Sequence, residues 1–195
     1  MSNIFVTSDQ HWGHANILKF QNAAGQFLRP GFEDVKTMNE FMVDQWNKVV
    51  KPSDKVYHLG DVALRKPDIA WVGACYGHKR LVRGNHDTFP TKAYLKFFEE
   101  IYATRLLDNM LLSHIPIHVE SIKSEWTNVH GHTHNNVSPL HFGPKYFNVC
   151  VEYTEYRPLA LEEIKQRIQA QQAEWEKTHV TMHSPFTTAM AGLKL

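Results

Sequence analysis

The sequence predicts an α/β fold built around a mostly buried sheet. Short apolar runs typical of buried strands alternate with segments of helical periodicity, and this alternation favours a layered arrangement. The chain has 195 residues, of which 43% are hydrophobic and 21% charged, as in an ordinary globular protein. We expect one domain over residues 1–195, in which residues 179–195 form an adaptable C-terminal tail.

Apolar runs predict the strands, and periodic segments between them predict the helices. The predicted strands cover residues 4–7, 55–59, 80–83, 110–113, 127–129 and 146–151. The predicted helices cover residues 35–49, 67–75, 91–100 and 161–175. Asp34 precedes the first helix as a typical N-cap, and Pro52 lies just past its end.

Composition excludes several classes of protein. The net charge is +1 and no run of lysine or arginine exceeds two residues, so the charge demands neither a nucleic-acid nor a membrane partner. Cys75 and Cys150 are too few for a disulfide framework, and no leader or membrane-spanning apolar stretch is visible, so we expect a cytoplasmic protein. Walker A, G-x-S-x-G and complete G-x-G-x-x-G motifs are absent, which excludes P-loop, serine-hydrolase and Rossmann enzymes.

Five polar motifs stand where predicted strands end. They are DQH at 9–11, GD at 60–61, GNHD at 84–87, His114, and GHTH at 131–134. The ends of neighbouring strands in an α/β sheet converge on one crevice, where ligands usually bind. Because residues two apart on an extended chain point the same way, Asp9 and His11 can reach one ion together, and so can His132 and His134.

The motifs supply more metal ligands than one ion can use. The candidates are Asp9, His11, Asp61, Asn85, His114, His132 and His134. They suffice for two ions if one carboxylate, that of Asp61, bridges them. Oxygen and imidazole ligands without thiolate suit Mn, Fe, Zn, Co or Ni. Glycines at 60, 84 and 131 fit tight turns where the backbone passes close to the metals.

A dinuclear centre with a nearby histidine indicates phosphoryl chemistry. Two ions roughly 3.5–4 Å apart acidify a bridging water to hydroxide and hold a phosphate for in-line attack. His86 then serves as general acid for the leaving group, with Asp87 fixing its tautomer. His14, in the loop behind the metal ligands, and Arg83, directly before GNHD, are candidates for contacting the substrate phosphate.

In this order, the motifs D-x-H, G-D, G-N-H-[DE], H and G-H-x-H resemble the calcineurin-like metallophosphoesterase superfamily. The resemblance implies a four-layer α-β-β-α sandwich, with Mn²⁺ the expected ion and His86 the proton donor. It implies a first metal held by Asp9, His11, Asp61 and His134. It implies a second metal held by Asp61, Asn85, His114 and His132. SDQHWGH at 8–14, YHLGD at 57–61 and YRP at 156–158 look like the small uncharacterised phosphoesterases of bacteria and phages.

Three functions are compatible with these residues. The first is hydrolysis of a small phosphodiester or phosphomonoester. The second is a nuclease acting on single strands or ends, for which Arg80 and Arg83 would form the basic patch. The third is a catalytically silent binding scaffold, which the retention of His86 and every ligand disfavours. Mono- against diester preference, native metal and oligomeric state stay open. Of the other histidines, His58 and His130 are expected to be structural.

Overall fold

The computed structural model describes residues 2–136 and 143–180 of the chain. Of the predicted tail over residues 179–195, residues 181–195 lie outside this described part. The strands are β1 (Ile4–Thr7), β2 (Lys55–His58), β3 (His78–Val82), β4 (Glu100–Tyr102), β5 (Arg105–Leu107), β6 (Met110–Leu112), β7 (Thr127–His130), β8 (Tyr146–Asn148) and β9 (Leu159–Ala160).

The helices flank these strands and connect them. The α-helices are α1 (Val35–Val49), α2 (Thr91–Tyr94) and α3 (Leu161–Val180). Short 3₁₀ helices cover Ala15–Lys19, Lys66–Ala74, Val119–Ser121 and Val151–Tyr153. The predicted N-cap of α1 is confirmed, because the Asp34 side chain accepts the N–H of Thr37 at 2.7 Å. No helix among the described residues is both long and apolar enough to cross a membrane.

Two sheets form the centre of the fold. The first has the strand order β4-β3-β2-β1-β9, in which β1 to β4 are parallel and β9 is antiparallel to β1. The second has the order β5-β6-β7-β8, in which β5 is antiparallel to β6 and the other pairs are parallel. Parallel strands need crossover connections, which the helices and long loops provide.

Alternating side chains place a core on each face of the first sheet. Phe5 and Leu81 join one core, whereas their neighbours Val6 and Val82 join the other. The first core is completed by three buried side chains of α1, namely Met38, Met42 and Trp46. The second is completed by the second sheet and by the apolar stripe of α3, with Leu112, Val129, Leu161, Ile164 and Ile168. The predicted α/β sandwich is thereby confirmed.

Several element limits differ from those predicted. The helix expected over residues 91–100 ends at Tyr94, and the last residue of that prediction begins β4, which pairs with β3. The segment 67–75 is a 3₁₀ helix, and the strand expected over 146–151 ends at Asn148. Strands β4, β5 and β9 are two or three residues long, too short to show a period in the sequence.

The five polar motifs meet at one edge of the two sheets. Strands β1, β2 and β3 end together in the first sheet, as do β6 and β7 in the second, and each motif begins within two residues of its strand. A parallel bridge between Ser8, after β1, and Cys150, after β8, brings these edges together. The expected convergence at strand ends is therefore confirmed.

Candidate metal centre

One cluster of possible metal ligands consists of Asp9, His11 and His134, whose ligand atoms lie within 4.8 Å of one another. Asp9 Oδ2 accepts the N–H of His132 at 2.9 Å and the thiol of Cys150 at 3.2 Å. Asp9 Oδ1 is buried without a hydrogen bond and lies 3.8 Å from His134 Nε2. One oxygen of Asp9 is thus held by the protein, and the other faces the cluster. We call Asp9, His11 and His134 the first group.

A second cluster, which we call the second group, consists of Asp61, His114 and His132, again with ligand atoms within 4.8 Å. The Nδ1 of His114 lies 2.7 Å from the carbonyl of Leu59, which directs Nε2 inward. That Nε2 is 3.3 Å from Asp61 Oδ2 and 2.8 Å from Asn85 Oδ1. Asn85 therefore lies against this group, as the resemblance implies.

Asp61 lies between the two groups. Its Oδ2 is 3.5 Å from His11 Nε2 in the first group and 3.3 Å from His114 Nε2 in the second. Its Oδ1 accepts the backbone N–H of His86 at 2.9 Å, which leaves Oδ2 directed to the two groups. This is the position that a carboxylate shared by two ions must occupy.

The donor atoms suit divalent cations. Among the buried side-chain atoms without a hydrogen-bond partner in the described residues are Asp9 Oδ1 and both ring nitrogens of His11. Buried polar atoms are nearly always paired, so unpaired ones converging on a point indicate a site for an ion. Carboxylate oxygen, amide oxygen and imidazole nitrogen are ligands of Mn, Fe, Zn, Co and Ni. The two groups thus fit two metal ions.

The local electrostatics favour positive charge. Burial raises the pKa of Asp9, but the adjacent His11 ring and the charges of His134 and His114 outweigh burial and hold that pKa well below its usual value. Burial lowers the pKa of His114, yet contact with Asp61 and the charges of Asp9 and Asp61 raise it to about 9. The carboxylates thus stay ionised and attract cations to this edge.

The backbone at the ligands is left-handed. Positive φ values occur at Asp9 (64°), His11 (50°), Asp61 (56°), His132 (69°) and His134 (46°). The prediction that each D-x-H or H-x-H pair lies on extended chain is therefore wrong. Asp9 and His11 do share the first group, but His134 joins them and His132 joins the second group, because the backbone at His132 and His134 is left-handed instead of extended. This division agrees with the one that the resemblance implies.

The three glycines singled out in the sequence lie where the strand ends make close contacts. A Cβ on Gly84 would lie 2.3 Å from Asp61 Oδ1, and one on Gly131 would lie 2.2 Å from Asp9 Oδ2. A Cβ on Gly60, whose φ is +93°, would lie 2.4 Å from the backbone nitrogen of Gly84. Only glycine lets these strand ends approach the two carboxylates so closely.

The carboxylate of Asp87 has backbone partners in this structure. Asp87 Oδ2 accepts the N–H groups of Asp61 at 2.9 Å and Gly84 at 2.8 Å, and its Oδ1 accepts that of Val62 at 2.9 Å. The carboxylate of Asp87 therefore ties the end of β2 to the end of β3 instead of orienting the ring of His86. A negative side chain that accepts three backbone N–H groups positions these strand ends, and the catalytic role of Asp87 stays a prediction.

The ring of His86 lies at the open side of the centre. Its side chain is 50% exposed, and its Nε2 is 4.0 Å from Asp61 Oδ2. The centroid of the ring is 5.6 Å from that of His11. His86 thus borders both candidate metal ligands and solvent.

The two predicted phosphate contacts have different surroundings. Arg83 Nε donates to the carbonyl of Asp87 at 2.6 Å and Nη2 donates to that of Phe89, so two of its N–H groups hold the loop after β3. This favours a positioning role for Arg83 over phosphate binding. His14 lies beside His11, with ring centroids 5.8 Å apart, and burial with the charge of His11 lowers its pKa to about 4.

Sequence reasoning missed three buried residues next to the ligands. Arg29 and Glu152 form an ion pair behind the first group, and Cys150 contacts Asp9. None of the three belongs to a polar motif, and their partners are distant in sequence: 123 residues separate Arg29 from Glu152. An isolated arginine in a proline- and glycine-containing loop carries no signal of burial.

The remaining histidines take structural places. His58 is fully buried, and its Nδ1 accepts the N–H of Gly60 at 3.1 Å. His130 ends β7, with Nδ1 2.9 Å from the carbonyl of Gly131. Both match the expectation for these residues. His114, the candidate ligand that follows β6, lies in the second group.

Comparison with known proteins identifies the family. The chain is 31% identical over 180 residues to an uncharacterised protein of Methanocaldococcus jannaschii, covering 87% of this chain and 93% of that protein. It is 28% identical over 171 residues to the gene 66 protein of Mycobacterium phage L5, covering 69% and 79% respectively. The crystal structure of a protein of unknown function from Aquifex aeolicus shares the fold, with a TM-score of 0.61, 24% identity, and 85% and 99% of the two chains covered. Residues 2–190 match the calcineurin-like phosphoesterases, and the chain accordingly belongs to this family of metal-dependent phosphoester hydrolases.

Proposed function

We propose that this protein hydrolyses a small phosphate ester, with two divalent ions held by the seven candidate ligands and His86 donating a proton to the leaving group. The observation that carries the proposal is the position of Asp61 Oδ2, 3.5 Å from His11 Nε2 and 3.3 Å from His114 Nε2. A carboxylate shared in this way suits a pair of ions better than two independent sites. Mn²⁺ is the ion we propose.

The first ion would be held by Asp9, His11, His134 and Asp61, and the second by Asp61, Asn85, His114 and His132. When bound, such a pair supplies Lewis-acid activation of water and neutralises charge on the phosphate. The protein's own contribution is orientation. Backbone groups hold one atom of each of Asp9, Asp61 and His114, so that the opposite atom faces the ions.

His86 is the proposed proton donor. Its backbone N–H is fixed on Asp61 Oδ1, and its ring stands at the solvent side of the centre, where a leaving group departs. In this proposal the ring holds a proton at Nε2, the nitrogen that faces Asp61, and transfers it to the departing alkoxide oxygen. Because Asp87 is engaged elsewhere, the position of His86 depends on its backbone anchor.

A small substrate is favoured over a nucleic acid. The basic patch that a nuclease would need is neutralised, because Arg80 pairs with Glu99 at 3.3 Å and Glu100 at 3.0 Å. Arg83 is bound to backbone carbonyls. With a net charge of +1, the chain lacks the excess of cations from which nonspecific phosphate-backbone affinity arises.

The test is a substrate panel on protein stripped of metal and reloaded with Mn²⁺, Zn²⁺, Co²⁺, Ni²⁺ or Fe²⁺. The panel contains phosphomonoesters, phosphodiesters and a single-stranded oligonucleotide. We expect turnover of a small ester, and we expect His86→Ala to lower kcat by ~10²–10⁴ on a substrate with a poor leaving group while two ions remain bound. A p-nitrophenyl ester, whose leaving group needs no proton, should be affected much less.

The matched control is His118→Ala, which removes an exposed histidine near His114 that belongs to neither ligand group. It should leave both ion binding and turnover unchanged. Wild-type turnover of the poor-leaving-group ester by His86→Ala would contradict the proton-donor role. Cleavage of the oligonucleotide alone would favour the nuclease, and inactivity on the whole panel with every metal would favour a binding scaffold.

A further inference from the structure

Behind the first group, a buried ion pair joins Arg29 to Glu152. Arg29 is 1% exposed and the Glu152 side chain is 3% exposed. Arg29 Nε donates to Glu152 Oε1 at 2.8 Å. Charged side chains are almost never fully buried, because the loss of hydration must be offset by well-aligned partners. Such a pair therefore points to a role besides general stability.

The rest of the Arg29 guanidinium holds the DQH segment at residues 9–11. Nη1 donates to the carbonyl of Gln10 at 2.7 Å, and Nη2 donates to that of Asp9. These carbonyls belong to the segment in which Asp9 and His11 have positive φ. A left-handed backbone at non-glycine residues persists only when the surroundings hold it. Arg29 supplies two of the contacts that do so.

Glu152 acts on the other side of the same group. Its Oε1, which accepts from Arg29, also lies 3.0 Å from His134 Nδ1. The opposite ring nitrogen, Nε2, then faces Asp9 Oδ1 at 3.8 Å. When a carboxylate accepts a hydrogen bond from one ring nitrogen of a histidine, it fixes the tautomer and the orientation of the ring. The other ring nitrogen is then free to bind a metal.

We infer that Arg29 and Glu152 are positioning residues for one of the two metal ions only. They orient Asp9, His11 and His134, whereas the corresponding ring of the second group, that of His114, is oriented by the carbonyl of Leu59. This inference rests on the proposed dinuclear centre and goes beyond it, because it predicts that the two ions depend on different supporting residues.

Two variants that each retain one intact group make this measurable. His132→Ala keeps the first group, and His134→Ala keeps the second. Mn²⁺ is titrated calorimetrically into the metal-free full chain in each background, with and without Glu152→Gln. We expect Glu152→Gln to weaken Mn²⁺ binding by about 10–100-fold in His132→Ala and by less than about twofold in His134→Ala. Arg29→Lys keeps the positive charge but loses the planar guanidinium that makes several hydrogen bonds at once. It should therefore weaken Mn²⁺ binding in the same background as Glu152→Gln does.

The matched control is Glu163→Gln, which breaks the bidentate pair with Arg157 (3.0 and 2.9 Å) away from both groups and should change neither affinity. Equal weakening in the two backgrounds would reveal a merely structural role and overturn the inference, as would no weakening in either. If Glu152→Gln fails to fold, as shown by loss of its circular dichroism signal, Arg29→Lys replaces it. The comparison of Mn²⁺ affinity between the two backgrounds stays the same. A wild-type chain that binds fewer than two Mn²⁺ would instead contradict the proposed metal centre itself.

Discussion

Asp87→Ala is expected to destabilise the fold even without metal, because Asp87 holds the ends of β2 and β3 together. Its carboxylate accepts three backbone N–H groups, and those of Asp61 and Val62 are buried. A buried donor left without a partner costs about 1–3 kcal/mol. The third donor, the N–H of Gly84, is only partly buried, so only two donors count in full. They predict that the free energy of unfolding falls by about 2–6 kcal/mol.

The assay is thermal unfolding of chelator-treated protein. For a chain of this size, 1 kcal/mol corresponds to about 2–4 °C, so a loss of about 3 kcal/mol lowers Tm by about 6–12 °C. Asp87→Asn should lose less, about 1–3 kcal/mol, because its amide oxygen can still accept the two donors now on Oδ2 while its NH₂ meets the third. The control is Asp44→Ala, an exposed partner of Lys48, which should stay within about 0.5 kcal/mol.

An Asp87→Ala protein whose Tm in the absence of metal equals that of the wild type, while its kcat falls, would contradict a structural role for Asp87 at the ends of β2 and β3. That outcome would restore the role inferred from the GNHD motif alone, in which Asp87 acts through the ring of His86.

Three further outcomes are expected. Gly131→Ala should weaken Mn²⁺ binding at least tenfold by calorimetry, because its Cβ would lie 2.1 Å from Ser8 Oγ and 2.2 Å from Asp9 Oδ2. The control is Gly73→Ala, whose Cβ meets only an aromatic side chain at 3.3 Å and which should bind Mn²⁺ with the affinity of the wild type. Mn²⁺ at 100 times its Kd should stabilise the wild type by about 2.7 kcal/mol per ion, reversed by chelator, and an unchanged Tm would contradict binding to the folded state. Arg83→Lys should lower Tm and leave KM for the ester within about twofold, since two of its N–H groups hold backbone carbonyls; a large rise in KM at unchanged Tm would assign Arg83 to phosphate binding after all.

Which side chains gather at the centre was predictable from sequence. Each motif directly follows an apolar run, and parallel strand ends meet at one edge whatever the details of the loops. How His132 and His134 divide between the groups was not predictable from their spacing. That division depends on left-handed backbone at both residues, a conformation that is uncommon outside glycine and that the spacing of two histidines does not encode.

The roles of Arg29 and Glu152 could not be predicted from sequence either, because they too depend on tertiary structure. Glu152 lies in the short 3₁₀ helix Val151–Tyr153 after the second sheet, and Arg29 lies in a loop before α1, so neither shows a period or a motif. Their roles arise from a contact between residues 123 positions apart. Asp87 is a different case, because it does belong to a motif. Its carboxylate contacts the backbone of Asp61 and Val62 instead of the ring of His86, its neighbour in sequence.

Backbone strain connects these observations. Nine non-glycine residues have positive φ in the described part of the chain, and five of them are candidate ligands: Asp9, His11, Asp61, His132 and His134. Left-handed backbone at such a residue costs roughly 1–2 kcal/mol, so five together would weaken the sheet edge unless other bonds held it. The holding bonds run from Arg29 to the carbonyl of Asp9, from the His132 N–H to Asp9 Oδ2, and from the Asp61 N–H to Asp87. These hydrogen bonds both orient the candidate ligands and maintain their left-handed backbone. A substitution that removes any of them should therefore lower the metal affinity and the stability of the metal-free fold together.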